Sequence, residues 1–199
     1  EKERKRSPCA KKKELSMAKA GIFFAEGYEE IEALTVVDLC RRAGVEIQMI
    51  SVTGKDGVTG SHGISVKMDA LLGDVDIGQL DMIILPGGMP GTKNLEGCGR
   101  LMEELDRFHA TGKWIAAICA APSVFGHRGY LKGRKAVCYP SFEGELAGAQ
   151  VLSEKAVADG NVITGRGMGC AIPFGLIIVE KLISRAAADA LAESIVYER

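Results

Sequence analysis

The segment Trp114-Ile-Ala-Ala-Ile-Cys119-Ala-Ala-Pro122 runs an apolar stretch directly into a cysteine and sets a proline three residues later. The apolar run reads as a buried strand ending at Ile118, and the proline as the first turn of a helix just beyond it. Cys119 therefore falls on a sharp strand-to-helix turn. Backbone N–H groups and the helix dipole at such a turn favour a thiolate, the nucleophilic form of sulfur. Free cysteine is also a common small core residue, and that plainer reading competes with the reactive one.

The turn has the logic of a nucleophile elbow, with Ala where hydrolase elbows carry Gly. Two other stretches hold groups that chemistry at a thiol needs. Glu29, Glu30 and Glu32 open the next helical pattern. Acids at a helix start complement its dipole, which accounts for Glu29 and Glu30. Glu32 is spaced to turn inward, where burial and a nearby thiolate would keep its carboxyl protonated and able to shuttle protons. Gly87 and Gly88 follow the apolar run Asp81–Leu85. They make a tight turn, and their N–H groups with that of Ala120 can form an oxyanion hole. Gly165-Arg-Gly-Met-Gly169 lacks the dinucleotide spacing and reads as close helix–strand packing. Of the histidines, His109 reads as a polar-face helix residue, His127 as lying near a helix end, and His62 as a surface residue of a Gly-rich excursion.

Strands and helices alternate around these residues. Lys19–Ala25, Val45–Val52, Asp81–Leu85, the run before Cys119 and Asn161–Thr164 are expected strands. Glu29–Ala43, Leu95–Ala110, Ala171–Ser184 and Ala186–Tyr197 carry helical spacing, and 53–68 reads as a β-hairpin. That order implies an α/β fold, a doubly wound parallel sheet sandwiched by helices in a single domain. In such sheets ligands bind beyond the carboxyl ends of the strands, where Glu29–Glu32, Gly87–Gly88 and Cys119 are all expected.

Composition excludes several classes. The net charge of −1 gives no reason to expect nucleic acid or an anionic membrane as partner. Residues 1–13 hold seven Lys/Arg against two Glu, so 1–17 is expected to be a disordered basic tail with 18–199 the folded domain. The tail lacks the apolar run of a signal peptide or membrane span, and Met17 is a candidate natural start. Six cysteines without a CxxC or a Cys/His cluster point away from zinc and from a disulfide framework, and toward a reducing cytoplasm.

Taken in order, Ala25-Glu-Gly-Tyr-Glu-Glu-Ile-Glu32, Leu85-Pro-Gly-Gly-Met-Pro-Gly91, Ala116-Ala-Ile-Cys119-Ala-Ala-Pro122 and Thr164-Gly-Arg-Gly-Met-Gly169 resemble the ThiJ/PfpI (DJ-1-like) family from about Ala18 onward. The resemblance implies a flavodoxin-like sandwich, a homodimer and an easily oxidised nucleophilic cysteine. By motif match that cysteine is Cys119, its protonated carboxylic acid Glu32, and its oxyanion amides those of Gly88 and Ala120. Gly87, Asp38, Arg42, His62 and Tyr139 match positions that line the site or the nearby dimer interface. Tyr139 stands where many relatives carry histidine, and Ala120 where the protease-like branch does, so a Cys–His peptidase lacks its base.

These residues imply a glutathione-independent glyoxalase or deglycase acting on methylglyoxal-like dicarbonyls or their adducts, without metal, nucleotide or other cofactor. The alternative is a non-catalytic redox-stress sensor or chaperone working through oxidation of Cys119. A protease or thiazole-phosphate biosynthesis role ranks last.

Overall fold

The computed structural model describes residues 17–198, so the expected basic tail lies outside the described residues except for Met17. In chain order the elements are β1 (Lys19–Phe24), α1 (Glu30–Arg42), β2 (Glu46–Ser51), β3 (Gly57–Thr59), β4 (Ser65–Lys67), β5 (Ala70–Leu71), β6 (Met82–Leu85), α2 (Gly91–Glu96) and α3 (Gly99–Thr111). There follow β7 (Trp114–Ile118), α4 (Pro122–His127), β8 (Lys135–Ala136), β9 (Gln150–Val151), β10 (Ala156–Asp159), β11 (Val162–Gly165), α5 (Ala171–Leu182) and α6 (Arg185–Ser194).

Seven strands form the central sheet in the order β10-β11-β7-β6-β1-β2-β5. Side chains alternate across it with the two-residue period of a strand. Ala20, Ile22, Phe24, Met82, Ile84, Ala116 and Ile118 face a core that includes Val36, Leu39, Phe174 and Leu191 of α1, α5 and α6. Phe23, Ile83, Leu85, Ile115 and Ala117 face the opposite core, with Leu101, Leu105, Phe108 and Phe125 of α3 and α4. Both faces are covered, which is why these strands read as nearly continuous apolar runs. The fold is thus the expected α/β sandwich.

Two expectations are corrected. The sheet is not wholly parallel, because β10 pairs antiparallel with β11 at the edge. A four-residue strand joined to its neighbour by the tight turn at Gly160 has no room for the crossover that parallel pairing demands. The single helix expected over 95–110 is two helices. α2 stops at Glu96, and the N–H of Met102 bonds the Cys98 carbonyl as α3 begins afresh. Glycines at 97 and 99 flank that break, where helix propensity is lowest.

The order of the central strands decides where a site can form. β1 lies between β2 and β6, and the chain leaves β1 for one face through α1 but leaves β6 for the other through α2 and α3. That reversal opens a crevice beyond the carboxyl ends of β1, β6 and β7. The loops after β6 and β7 carry Gly87–Gly88 and Cys119, and Glu32 lies in the first turn of α1, which follows β1.

Candidate functional site: a cysteine elbow with a buried carboxyl

Cys119 follows β7 with φ of 66°, in the left-handed region, and α4 opens three residues later at Pro122. For a residue bearing a side chain this conformation costs roughly 1–3 kcal/mol, so it persists only where surrounding bonds impose it. They do so from both sides. The Cys119 N–H donates to Gly165 O at 2.9 Å, and Cys119 O accepts from Tyr139 N–H at 2.8 Å. One residue on, the Ser123 hydroxyl donates to Ala120 O at 2.6 Å. The sulfur is left half-buried at the crevice.

Glu32 comes to it from α1. Its side chain turns inward, as its spacing predicts, and the residue is 1% exposed. Oε2 accepts from Gly87 N–H at 3.0 Å. Oε1 is buried and left without a hydrogen-bond partner among the described residues, and the side chain that acts most closely on the carboxyl is Cys119. Burial pushes the Glu32 carboxyl up to about 7, against the opposing pull of the Cys119 and Gly87 hydrogen bonds.

The sulfur and the carboxyl titrate as one unit. Burial, and then the adjacent Glu32 charge, push the Cys119 thiol up, while N–H groups of Ala120 and Gly88 pull it down. Two anions in contact in this buried place are strongly disfavoured, so the pair keeps one proton across the neutral range. Two amides and the Glu32 O–H converge on Sγ, whereas one amide serves the carboxylate. With burial raising both groups, the carboxyl is the first of the two to release its proton, near 7, and can then serve as the base that activates the thiol.

Gly87 is required by space. A Cβ there would lie 2.5 Å from Glu32 Oε2, 2.6 Å from Cys119 Cβ and 2.8 Å from Ile118 O. Gly88 has φ of 90°, and a Cβ would strike the backbone of Tyr28 and Glu29. Gly87→Ala is therefore expected to separate the thiol from its carboxyl, lowering stability by roughly 1–3 kcal/mol and changing the alkylation rate of Cys119. Denaturant midpoints and iodoacetamide kinetics matching the wild type would refute this packing.

The other residues singled out in the sequence are placed as follows. Tyr139 meets Cys119 through its backbone; its ring is half exposed and stands over Gly167. It offers no base to the sulfur. Asp38 and Arg42 pair with each other at 2.6 Å on the exposed side of α1. They lie six and ten residues beyond Glu32, about 9 and 15 Å along the helix axis, and the fold of the chain does not bring them to the thiol. His62 is exposed as expected, yet it is bound to Glu30 and Glu29. His127 ends α4, held between Glu96 at 2.6 Å and Glu145 at 2.7 Å. His109 departs from its expected polar face: it stacks on Tyr130 with Nε2 buried.

Glu30 is the residue that the sequence reading undervalued. It is 3% exposed, not a solvated dipole acid, and it accepts from His62 N–H at 2.7 Å. Burial alone would raise its carboxyl, but hydrogen bonds from the His62 side chain and from backbone groups overcome this and take it down to about 2. A Cβ at Gly60 would overlap the Glu30 carboxyl, so Gly60 was the available clue. Beside the thiol loops lies a cleft of about 350 Å³ walled by Met89, Thr92, Ser123, Ser141 and Phe142.

A doubly wound sheet carrying a cysteine at its strand-to-helix elbow, with a buried carboxyl and converging amides, defines a class of α/β proteins built around one thiol. The chain belongs to the DJ-1/PfpI family, whose model matches residues 18–181. It is 38% identical over 172 residues to protein DJ-1 homolog B of Arabidopsis thaliana, covering 85% of this chain and 39% of that protein. The chain thus spans well under half the length of that relative and of the related homolog A, where coverage is 43%. Against protein dj-1beta of Drosophila melanogaster it is 34% identical over 177 residues, covering 87% of this chain and 94% of that one. Deglycase PfpI of Pyrococcus furiosus is 29% identical over 147 residues, covering 73% and 87%. Among solved structures, oxidised Toxoplasma gondii DJ-1 superposes with a TM-score of 0.87 at 35% identity, covering 92% of this chain and 100% of that one. None of the described helices is long and apolar enough to cross a membrane.

Proposed function

We propose that this protein is a cysteine-dependent, glutathione-independent glyoxalase or deglycase acting on small dicarbonyls such as methylglyoxal, or on their adducts. The observation that carries the reading is the contact of Cys119 with the buried Glu32 carboxyl between the Gly88 and Ala120 amides. A relative bearing the name deglycase supports it.

The chemistry balances with these groups alone. The sulfur adds to the aldehyde carbon, and the carbonyl π pair moves to oxygen, where the two amides stabilise it and Glu32 supplies a proton. The product is a hemithioacetal. Glu32, now a carboxylate, removes the proton from the former aldehyde carbon and returns it to the neighbouring carbonyl carbon, while the hemithioacetal hydroxyl proton passes to the neighbouring carbonyl oxygen. This leaves a 2-hydroxy thioester on Cys119. Water cleaves the C–S bond, releasing lactate and restoring the thiol. The tetrahedral intermediate of that last step draws on the same amides.

The test is incubation of purified protein with methylglyoxal without added thiol, with lactate measured enzymatically. Lactate at the rate of buffer alone overturns the reading. The homodimer implied by the resemblance, and the cytoplasmic location expected from the cysteine pattern, remain part of this proposal.

A second reading, redox sensing, is favoured by the similarity to an oxidised DJ-1 structure. The donors that serve an oxyanion would equally hold a sulfinate. Peroxide titration with peptide mass spectrometry is expected to find oxidation first at Cys119, because Cys40 and Cys138 are buried whereas Cys119 is half-buried at the crevice beside the Glu32 carboxyl. Uniform oxidation of all six cysteines would count against it.

A further inference from the structure

The start of α1 gathers a second set of chemistry-bearing side chains, which the thiol does not use. Glu29 stands at the N-cap of α1, Glu30 is its first residue, and His62 comes from the turn joining β3 to β4. The imidazole is exposed but its backbone is fixed. Gly27 N–H donates to Thr59 O at 2.9 Å, Ser61 N–H to Tyr28 O at 2.8 Å and His62 N–H to Glu30 Oε1 at 2.7 Å. Glu30 is fixed as well, because its carboxyl fills the space above Gly60. Two of the donors are therefore set in place by the fold.

The distances suit one ion. His62 Nδ1 lies 3.0 Å from Glu30 Oε2 and 3.6 Å from Glu29 Oε1. All three ligand atoms fall within 4.8 Å of one another. A tetrahedral ion with bonds of about 2.0–2.1 Å needs ligand–ligand edges of roughly 3.3–3.4 Å, which the two measured edges bracket. Ser61 Oγ approaches the same group, 3.1 Å from His62 Nδ1 and 3.2 Å from Glu29 Oε2. Charge agrees with distance: two carboxylates and a neutral imidazole exactly balance no monovalent ion but do neutralise a divalent one.

We propose that Glu29, Glu30 and His62 form a binding site for a divalent cation of the zinc class, with water or the Ser61 hydroxyl as the fourth ligand. Imidazole with carboxylates selects zinc-like ions over calcium or magnesium, which take all-oxygen shells. The site is independent of the thiol reading, since none of its donors is sulfur.

Cobalt(II) is the probe, because its spectrum reports the donor atoms. Titration of the full chain is expected to give one equivalent with visible d–d absorption and no sulfur-to-metal charge-transfer band. Cys119→Ser should bind the same equivalent. His62→Ala and Glu29→Gln should each weaken binding at least tenfold. Glu29→Gln leaves every bond between Glu30 and the hairpin in place, so circular dichroism that matches the wild type separates lost ligation from lost folding. Zinc should displace the cobalt. A charge-transfer band, absence of the d–d spectrum, or unchanged affinity in folded Glu29→Gln would overturn the site.

Discussion

Cys119→Ser is expected to abolish lactate formation from methylglyoxal, with a loss of at least about 10³-fold. The substitution is nearly isosteric, so the elbow should survive it. The backbone bonds to Gly165 and Tyr139 do not involve the side chain, and the N–H groups of Gly88 and Ala120 remain in place. What is lost is nucleophilicity: a hydroxyl is essentially un-ionised near neutrality, and no histidine stands beside it to take its proton. Lactate accumulation by the two proteins, measured side by side with a matched thermal melt, decides the matter. Equal output would show that the thiol is not the reacting group, and the enzyme reading would fall with it.

Glu32→Gln carries the second large effect. Glutamine keeps the shape and an N–H donor toward sulfur but has no proton to exchange between carbon and oxygen. Turnover should drop roughly 10²–10⁴-fold, while alkylation of Cys119 continues. A second readout comes from folding. The buried carboxyl holds its proton up to about pH 7, whereas the unfolded chain releases it near 4.5. Between those values the unfolded state binds fewer protons, so stability falls as pH rises. The fall is roughly 3 kcal/mol across the window, and it levels off above pH 7. Glu32→Gln should flatten that slope. Denaturant unfolding from pH 4.5 to 7.5 in metal-free buffer measures it, and an identical slope in both proteins would remove Glu32 from the buried pair.

The elbow was legible because its signals are local. An apolar run, a cysteine and a proline within nine residues specify a strand, a turn and a helix start with no knowledge of the remaining chain. The inward turn of Glu32 was legible for the same reason, since helical spacing separates it from Glu29. Glu30 was not, because its burial is imposed by a hairpin thirty residues away that covers the helix start. Sequence spacing around Glu30 says nothing of that hairpin. The antiparallel edge at β10 and the break between α2 and α3 were missed for related reasons. Each depends on a short element whose own periodicity is too brief to read. Asp38 and Arg42 came from motif resemblance, and the fold leaves them on an exposed helix face.

The nucleophile is held largely by main-chain atoms, those of Gly165, Tyr139, Gly88 and Ala120. Backbone groups are common to all residues, so this grip is indifferent to which side chains surround it. Positions 89, 141 and 142 can therefore diverge and re-contour the neighbouring cleft without displacing the sulfur. The reactive centre and its mouth are separately evolvable, and a change of substrate in such a chain need not begin at the thiol.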